Sequence, residues 1–145
     1  MEAYLYDHIP LTRAMGVKIE SAGPDGAILF APFNNNTNHQ KTVFGGSLHS
    51  LATLACWTYL HLRLKNHEVN LVIQKSEIDY IGPVTSDFIA ECLPPSDNAW
   101  DQFIKSIEKR GKGRIHLSAK IAQDGLLSVI FHGIFVASKS LPLKM

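Results

Sequence analysis

The sequence predicts an α+β domain in which an antiparallel sheet wraps one long central helix. Three observations carry that reading. Residues 47–65 spread Leu48, Leu51, Leu54, Ala55, Trp57, Leu60 and Leu64 over most of a helical circumference, and a helix apolar nearly all round has to be buried. About six other stretches alternate or run apolar at strand length between turn clusters. No repeat, linker or break in composition divides the 145 residues. Residues 1–145 are therefore expected to share one core as a single domain.

The elements follow in order. Residues 4–15 are weakly helical, with Pro10 suited to a helix start or a break. Residues 17–21 and 27–33 form a hairpin closed by Gly23-Pro24-Asp25-Gly26, a turn-forming cluster. The polar tract Asn34 to Asn38 suits a loop, because its side chains bond to nearby backbone. After the central helix, residues 69–81 alternate through Val72, Gln74, Ser76, Ile78 and Tyr80 until Gly82-Pro83 stops the strand. A fourth strand covers residues 86–93. Ser96 or Asp97 then caps an amphipathic helix with Trp100, Phe103, Ile104 and Ile107 on one side and Asp101, Lys105 and Glu108 on the other. The run Arg110-Gly-Lys-Gly113 is expected to turn the chain. Ile115, Leu117, Ala119 and Ile121 alternate with Arg114, His116, Ser118 and Lys120, as in a strand with one wet face. Past Gln123-Asp124-Gly125, residues 126–137 are almost wholly apolar and read as a central strand covered on both faces.

Composition narrows the function. Fourteen Lys and Arg against 13 Asp and Glu leave a formal charge of +1, too small to steer the chain toward nucleic acid or an anionic membrane. The two cysteines, Cys56 and Cys92, sit in apolar runs and read as buried thiols. The start MEAYLYDHIP lacks a signal-peptide core, and no apolar run reaches the ~18 residues of a membrane span, so a cytoplasmic location is expected. His61, His67, His116 and His132 fall into no metal-ligand spacing, and no metal site is expected.

Gly45-Gly46, directly before the buried helix, is the most informative junction. A helix start leaves several N–H groups unpaired, and glycine lets another group approach the main chain. Such a junction is suited to an anion or a polarised carbonyl.

These residues and the element order resemble the hotdog-fold acyl-thioester proteins. In the phenylacetate-type branch an Asn is followed by five residues, His-Gly-Gly, four residues and Leu-x-Asp. Here Asn38 is followed by His-Gln-Lys-Thr-Val, then Phe44-Gly45-Gly46, Ser-Leu-His-Ser and Leu51-Ala52-Thr53, in register without a gap. Ile78-Asp79-Tyr80-Ile81-Gly82-Pro83-Val84 is similar to the family's third-strand ending, and Arg110 to Ile115 with Asp124-Gly125 resembles its last hairpin. Phe44 replaces the motif His, and Thr53 replaces the helix Asp. That combination is most similar to the YiiD C-terminal type of thioesterase. The resemblance implies a hotdog fold with an extra short helix before the fifth strand.

It also implies acyl-thioester hydrolysis by a homodimer or a tetramer, acting on acyl-CoA or an acyl-carrier protein, with no cofactor beyond the substrate's own coenzyme A or phosphopantetheine. The N–H groups of Gly45, Gly46 and Ser47 would then face the thioester oxygen, unless the glycines only permit close packing. Asn38 is a candidate to hold water or the carbonyl through its amide, or else to cap its own loop. His39 is a candidate base or an exposed loop residue, because an imidazole can take a proton from water. Thr53 either orients water or satisfies a helix carbonyl, and His49, four residues before it on the same stripe, is a second candidate base. Phe44 and Trp57 would wall the acyl tail, while Arg110, Lys112 and Arg114 would meet phosphate or simply face solvent. Glu77 and Asp79 are the remaining carboxylates near the sheet, on one face of their strand. A non-catalytic acyl-binding module and a dehydratase or hydratase are the alternatives.

Overall fold

The computed structural model describes residues 1–139; the last six residues of the expected domain lie outside the described range. The chain runs α1 (Glu2–His8), α2 (Pro10–Met15), β1 (Lys18–Gly23), β2 (Gly26–Ala31), a 3-10 turn (Phe33–Asn35), α3 (Gly45–Arg63), β3 (Asn70–Tyr80), β4 (Phe88–Leu93), α4 (Asp97–Arg110), β5 (Lys112–Gln123) and β6 (Leu126–Ser138). The six strands form one antiparallel sheet in the order β1-β2-β4-β5-β6-β3. Helix α3 packs against all six. This is the expected α+β architecture of the hotdog fold, with α4 inserted before the fifth strand.

Local chemistry explains the boundaries. Pro10 opens α2 instead of sitting inside a longer helix, because its ring has no N–H to give. Ser96 caps α4 by accepting the Ala99 N–H at 3.1 Å, and Gly111 ends it in the left-handed conformation at φ 74°. The expected turn over Arg110 to Gly113 is therefore only Gly111, since β5 already begins at Lys112.

The apolar strand β6 also departs from expectation. It lies between β5 and β3, yet only its inner face is fully covered: Val129, Phe131, Phe135 and Ala137 are buried, Ile130 and Ile134 half-buried, and His132 exposed. Helices cover one face of the sheet, so outward isoleucines have no layer to enter.

Gly26 closes the first hairpin at φ 127°, and a Cβ there would overlap the Cys92 carbonyl oxygen of neighbouring β4. Both the backbone angle and the close approach exclude a side chain. Gly26→Ala is expected to cost about 1–3 kcal/mol, read as a lower urea midpoint at unchanged slope.

Two features of β3 position the site. It lies at the end of the sheet, with no strand on its outer side among the described residues. It also carries a bulge between Ile73 and Lys75, where Gln74 is the extra residue.

Candidate active site

The chain enters α3 through a pinned corner. The Val43 N–H donates to the Val84 carbonyl and the Phe44 N–H to the Asn36 carbonyl, both at 2.8 Å. Phe44 is extended at φ −60°, ψ 134°, so the helix starts abruptly at Gly45. The Ser47 and Leu48 N–H groups then donate to the Phe44 carbonyl at 2.9 and 3.2 Å. Only the Gly45 and Gly46 N–H groups remain without a partner among the described residues. This corrects the expectation for Ser47: a tight first turn has already engaged its amide. The Tyr80 hydroxyl donates to the Gly45 carbonyl at 3.1 Å and fixes the corner to the end of β3. The Phe44 ring is 57% exposed and lies over Gly46.

The preceding loop is closed by Asn38. Its Oδ1 accepts the N–H groups of Gln40 and Thr42 at 2.8 and 3.1 Å, and its Nδ2 donates to Thr42 Oγ1 at 2.8 Å. The amide is thus committed to its own loop, the second of the two roles its sequence context allowed. His39 is exposed beside it, and its side chain makes no hydrogen bond among the described residues.

One turn into α3 a cleft of about 470 Å³ opens between the helix and β3. Its helix side carries His49, Ser50, Thr53, Leu54 and Trp57, its strand side Ile73, Gln74, Lys75 and Ser76, with Phe135 from β6. Ile9 and Leu11, from the junction of α1 and α2, complete it. His49 Nε2 lies 3.0 Å from Ser76 Oγ, and its ring stands edge-on to Phe131 at 5.5 Å and 80°. The pair is thus an imidazole and a hydroxyl held together against an apolar wall. Thr53 lines the same cleft, but its hydroxyl donates to the His49 carbonyl at 2.9 Å. The helix-carbonyl role is therefore the one it fills.

The remaining candidates divide. Arg114 reaches the cleft edge, donating to Gln74 Oε1 at 3.2 Å. Arg110 and Lys112 are exposed and do not line the cleft, and neither does Phe44. Glu77 and Asp79 point away from the helix and are exposed, Glu77 paired across the sheet with His132. Among the described residues, no three His, Cys, Asp or Glu gather as a metal site, and no helix is long and apolar enough to cross a membrane. Both cysteines are buried free thiols. The Cys92 thiol beside it and burial push Cys56 well above the ordinary range, so it stays protonated and unreactive.

Sequence reasoning missed Ser76, Tyr80, Ile9 and Leu11. Ser76 and Tyr80 had a signal in the alternation of β3, but alternation does not say which face meets the helix.

At the far end of the cleft Trp57 stacks on His61 at 4.7 Å and 12°, and Tyr4 lies between His61 and His8 at 4.9 and 4.0 Å. Burial, and secondarily the charge of His8, lower the pKa of His61. The unfolded chain therefore binds the extra proton first, and stability falls as the pH drops below the ordinary histidine value of ~6.5. Thermal melts of His61→Gln are expected to lose part of that acid-side slope.

The family described as putative thioesterase (yiiD_Cterm) matches residues 1–139. A protein of unknown function from Chlorobaculum tepidum is 33% identical, with 96% of this chain and 92% of that one covered at a TM-score of 0.91. A putative thioesterase from Shewanella oneidensis is 24% identical over 94% and 93% of the chains, TM-score 0.80. A variant of the phenylacetic acid degradation protein PaaI from Thermus thermophilus shares the fold at 19% identity, 89% and 98% coverage and a TM-score of 0.66. With the family match spanning the described residues and the wrapped helix, glycine corner and motif register agreeing, the chain belongs to the YiiD C-terminal putative thioesterase family.

Proposed function

We propose that the protein hydrolyses acyl thioesters of coenzyme A or of an acyl-carrier protein, with His49 as the base that activates water. The observation that carries this reading is the His49–Ser76 pair set in an apolar cleft, in a chain whose central helix also opens on two amides without a partner among the described residues. When Ser76 donates its hydroxyl, Nε2 is the accepting nitrogen and is free of a proton. Water shared between Ser76 and His49 loses its proton to Nε2 as its oxygen attacks the thioester carbon. The carbonyl oxygen becomes an oxyanion, which the Gly45 and Gly46 N–H groups and the positive end of α3 stabilise. The C–S bond then breaks, and the leaving thiolate recovers the proton from His49. The products are a carboxylic acid and a free thiol.

The glycine corner does not line the cleft of its own chain, so the full site calls for a second copy. Tyr80, which anchors Gly45, ends β3, while Ile73, which lines the cleft, lies near the other end. Antiparallel pairing of two β3 edges would set the glycine corner of one copy beside the cleft of its partner. The eleven-residue open edge and the exposed Ile73, Tyr80 and Ile81 support such a homodimer, because long unprotected edges are pairing sites.

The test is release of free thiol from a panel of acyl-CoA and acyl-carrier-protein substrates, with oligomeric state followed by analytical ultracentrifugation. Turnover by a dimer supports the reading. Tight acyl-CoA binding with no release at any chain length would sink it in favour of a binding module. That second reading has its own support, since among the described residues no carboxylate lines the cleft and Thr53 stands at the motif's Asp position. The same observation disfavours a dehydratase, which requires a carboxylate opposed to a histidine.

A further inference from the structure

We propose that Trp57 is the end-stop of the acyl channel and, with Ile9 and Leu11 as its roof, restricts the substrate to chains of about eight to ten carbons. This rests on the cleft being the acyl site. The channel length follows from the helix. His49, Thr53 and Trp57 share one stripe, and the eight residues from His49 to Trp57 rise about 12 Å at ~1.5 Å each. Carbon–carbon bonds of ~1.5 Å in an extended chain advance it by about 1.25 Å each, so about nine whole bonds fit that length and cap the chain at roughly ten carbons.

The stop is rigid. The indole is held from behind by the His61 ring at 4.7 Å and 12° and flanked by Tyr4 at 6.3 Å and 17°. Tyr4 is itself stacked on His8 at 4.0 Å, so α1 backs the stop with a second ring layer. A longer tail would have to break this stack. The roof arises from the break between α1 and α2. Ile9, at φ −128° and ψ 84°, turns the chain before Pro10 restarts the helix, and both Ile9 and Leu11 line the cleft. Leu11 is 53% exposed and Ile73 37% exposed across the cleft. An alkyl tail between them would remove apolar surface from water, which is the gain that favours a chain over acetyl.

The experiment measures kcat/KM for straight-chain acyl-CoAs from two to sixteen carbons, and in parallel the binding of thioether acyl-CoA analogues of the same lengths, which cannot be hydrolysed. The native protein is expected to peak at about eight to ten carbons and to fall at least tenfold by fourteen in both measurements. Trp57→Ala is expected to move the optimum longer by about three carbons. Leu11→Trp, at an exposed position that does not carry the core, is expected to move it shorter and decides the matter should Trp57→Ala fail to fold. Flat profiles to sixteen carbons, or an optimum unmoved in both folded variants, would overturn the proposal even where hydrolysis proceeds. A length optimum in thioether binding that moves with Trp57, in a protein that hydrolyses nothing, would uphold the end-stop while the hydrolytic reading fails.

Discussion

His49→Gln is expected to lower kcat by about 10²–10⁴-fold, the usual worth of a positioned general base, with little change in KM or melting temperature. Glutamine keeps a polar side chain that reaches toward Ser76 and fills much of the space beside Phe131, but its amide cannot accept a proton from water. The loss thus isolates proton transfer from packing. Ser76→Ala removes one neutral hydrogen bond and leaves the imidazole, so a loss nearer tenfold is expected, in line with ~1 kcal/mol for such a bond. A His49→Gln protein within fivefold of the native rate would place the base elsewhere, and His39→Ala would then be the variant to measure. Stopped assays of thiol release on folded samples in the same oligomeric state as the native protein make the comparison, because a fallen rate in a dissociated protein would report assembly and not chemistry.

The fold was largely legible because its signals are local. An apolar circumference marked α3, Gly23 to Gly26 marked a hairpin, and Ser96 or Asp97 marked a cap that the structure gives to Ser96, and each of these devices acts within a few residues of itself. The site was legible only in part. The stripe shared by His49 and Thr53 follows from helical spacing, and the structure puts both in one cleft with Trp57. Ser76 was out of reach because its meeting with His49 spans 27 residues and depends on which face of β3 turns toward the helix. The Gln74 bulge further shifts the alternation by one residue at the cleft. Asn38 and Ser47 share one reason for where their polar groups go. Each carries a polar group that suits a ligand, and each has a backbone partner within four residues that takes it first. The same local competition explains Thr53, whose hydroxyl finds the carbonyl one turn behind it. Ile9 and Leu11 reach the cleft only through tertiary packing of a helix break, which no periodicity records.

The second large effect separates a backbone amide from the side chain that replaces glycine. Gly45→Ala keeps the N–H, and its Cβ would meet the Tyr80 ring at 3.5 Å, an ordinary van der Waals contact, so activity within a few-fold of native is expected. Gly45→Pro removes the N–H at the same position. Proline belongs there structurally: Gly45 is the first helical residue, where the N–H has no intrahelical acceptor, and Phe44 before it already has the extended conformation that a following proline demands. No protein hydrogen bond is lost, and restricting the unfolded chain should leave stability equal or raised by about 0.4–1 kcal/mol. If this amide stabilises the oxyanion, kcat should nonetheless drop about 10²–10³-fold relative to Gly45→Ala, the range seen for one such donor. A proline variant that melts like the native protein and turns over like the alanine variant would show that the Gly45 amide never meets the reacting oxygen. A deep loss in the proline variant alone, with the fold intact, is an outcome that close packing of the helix corner cannot produce.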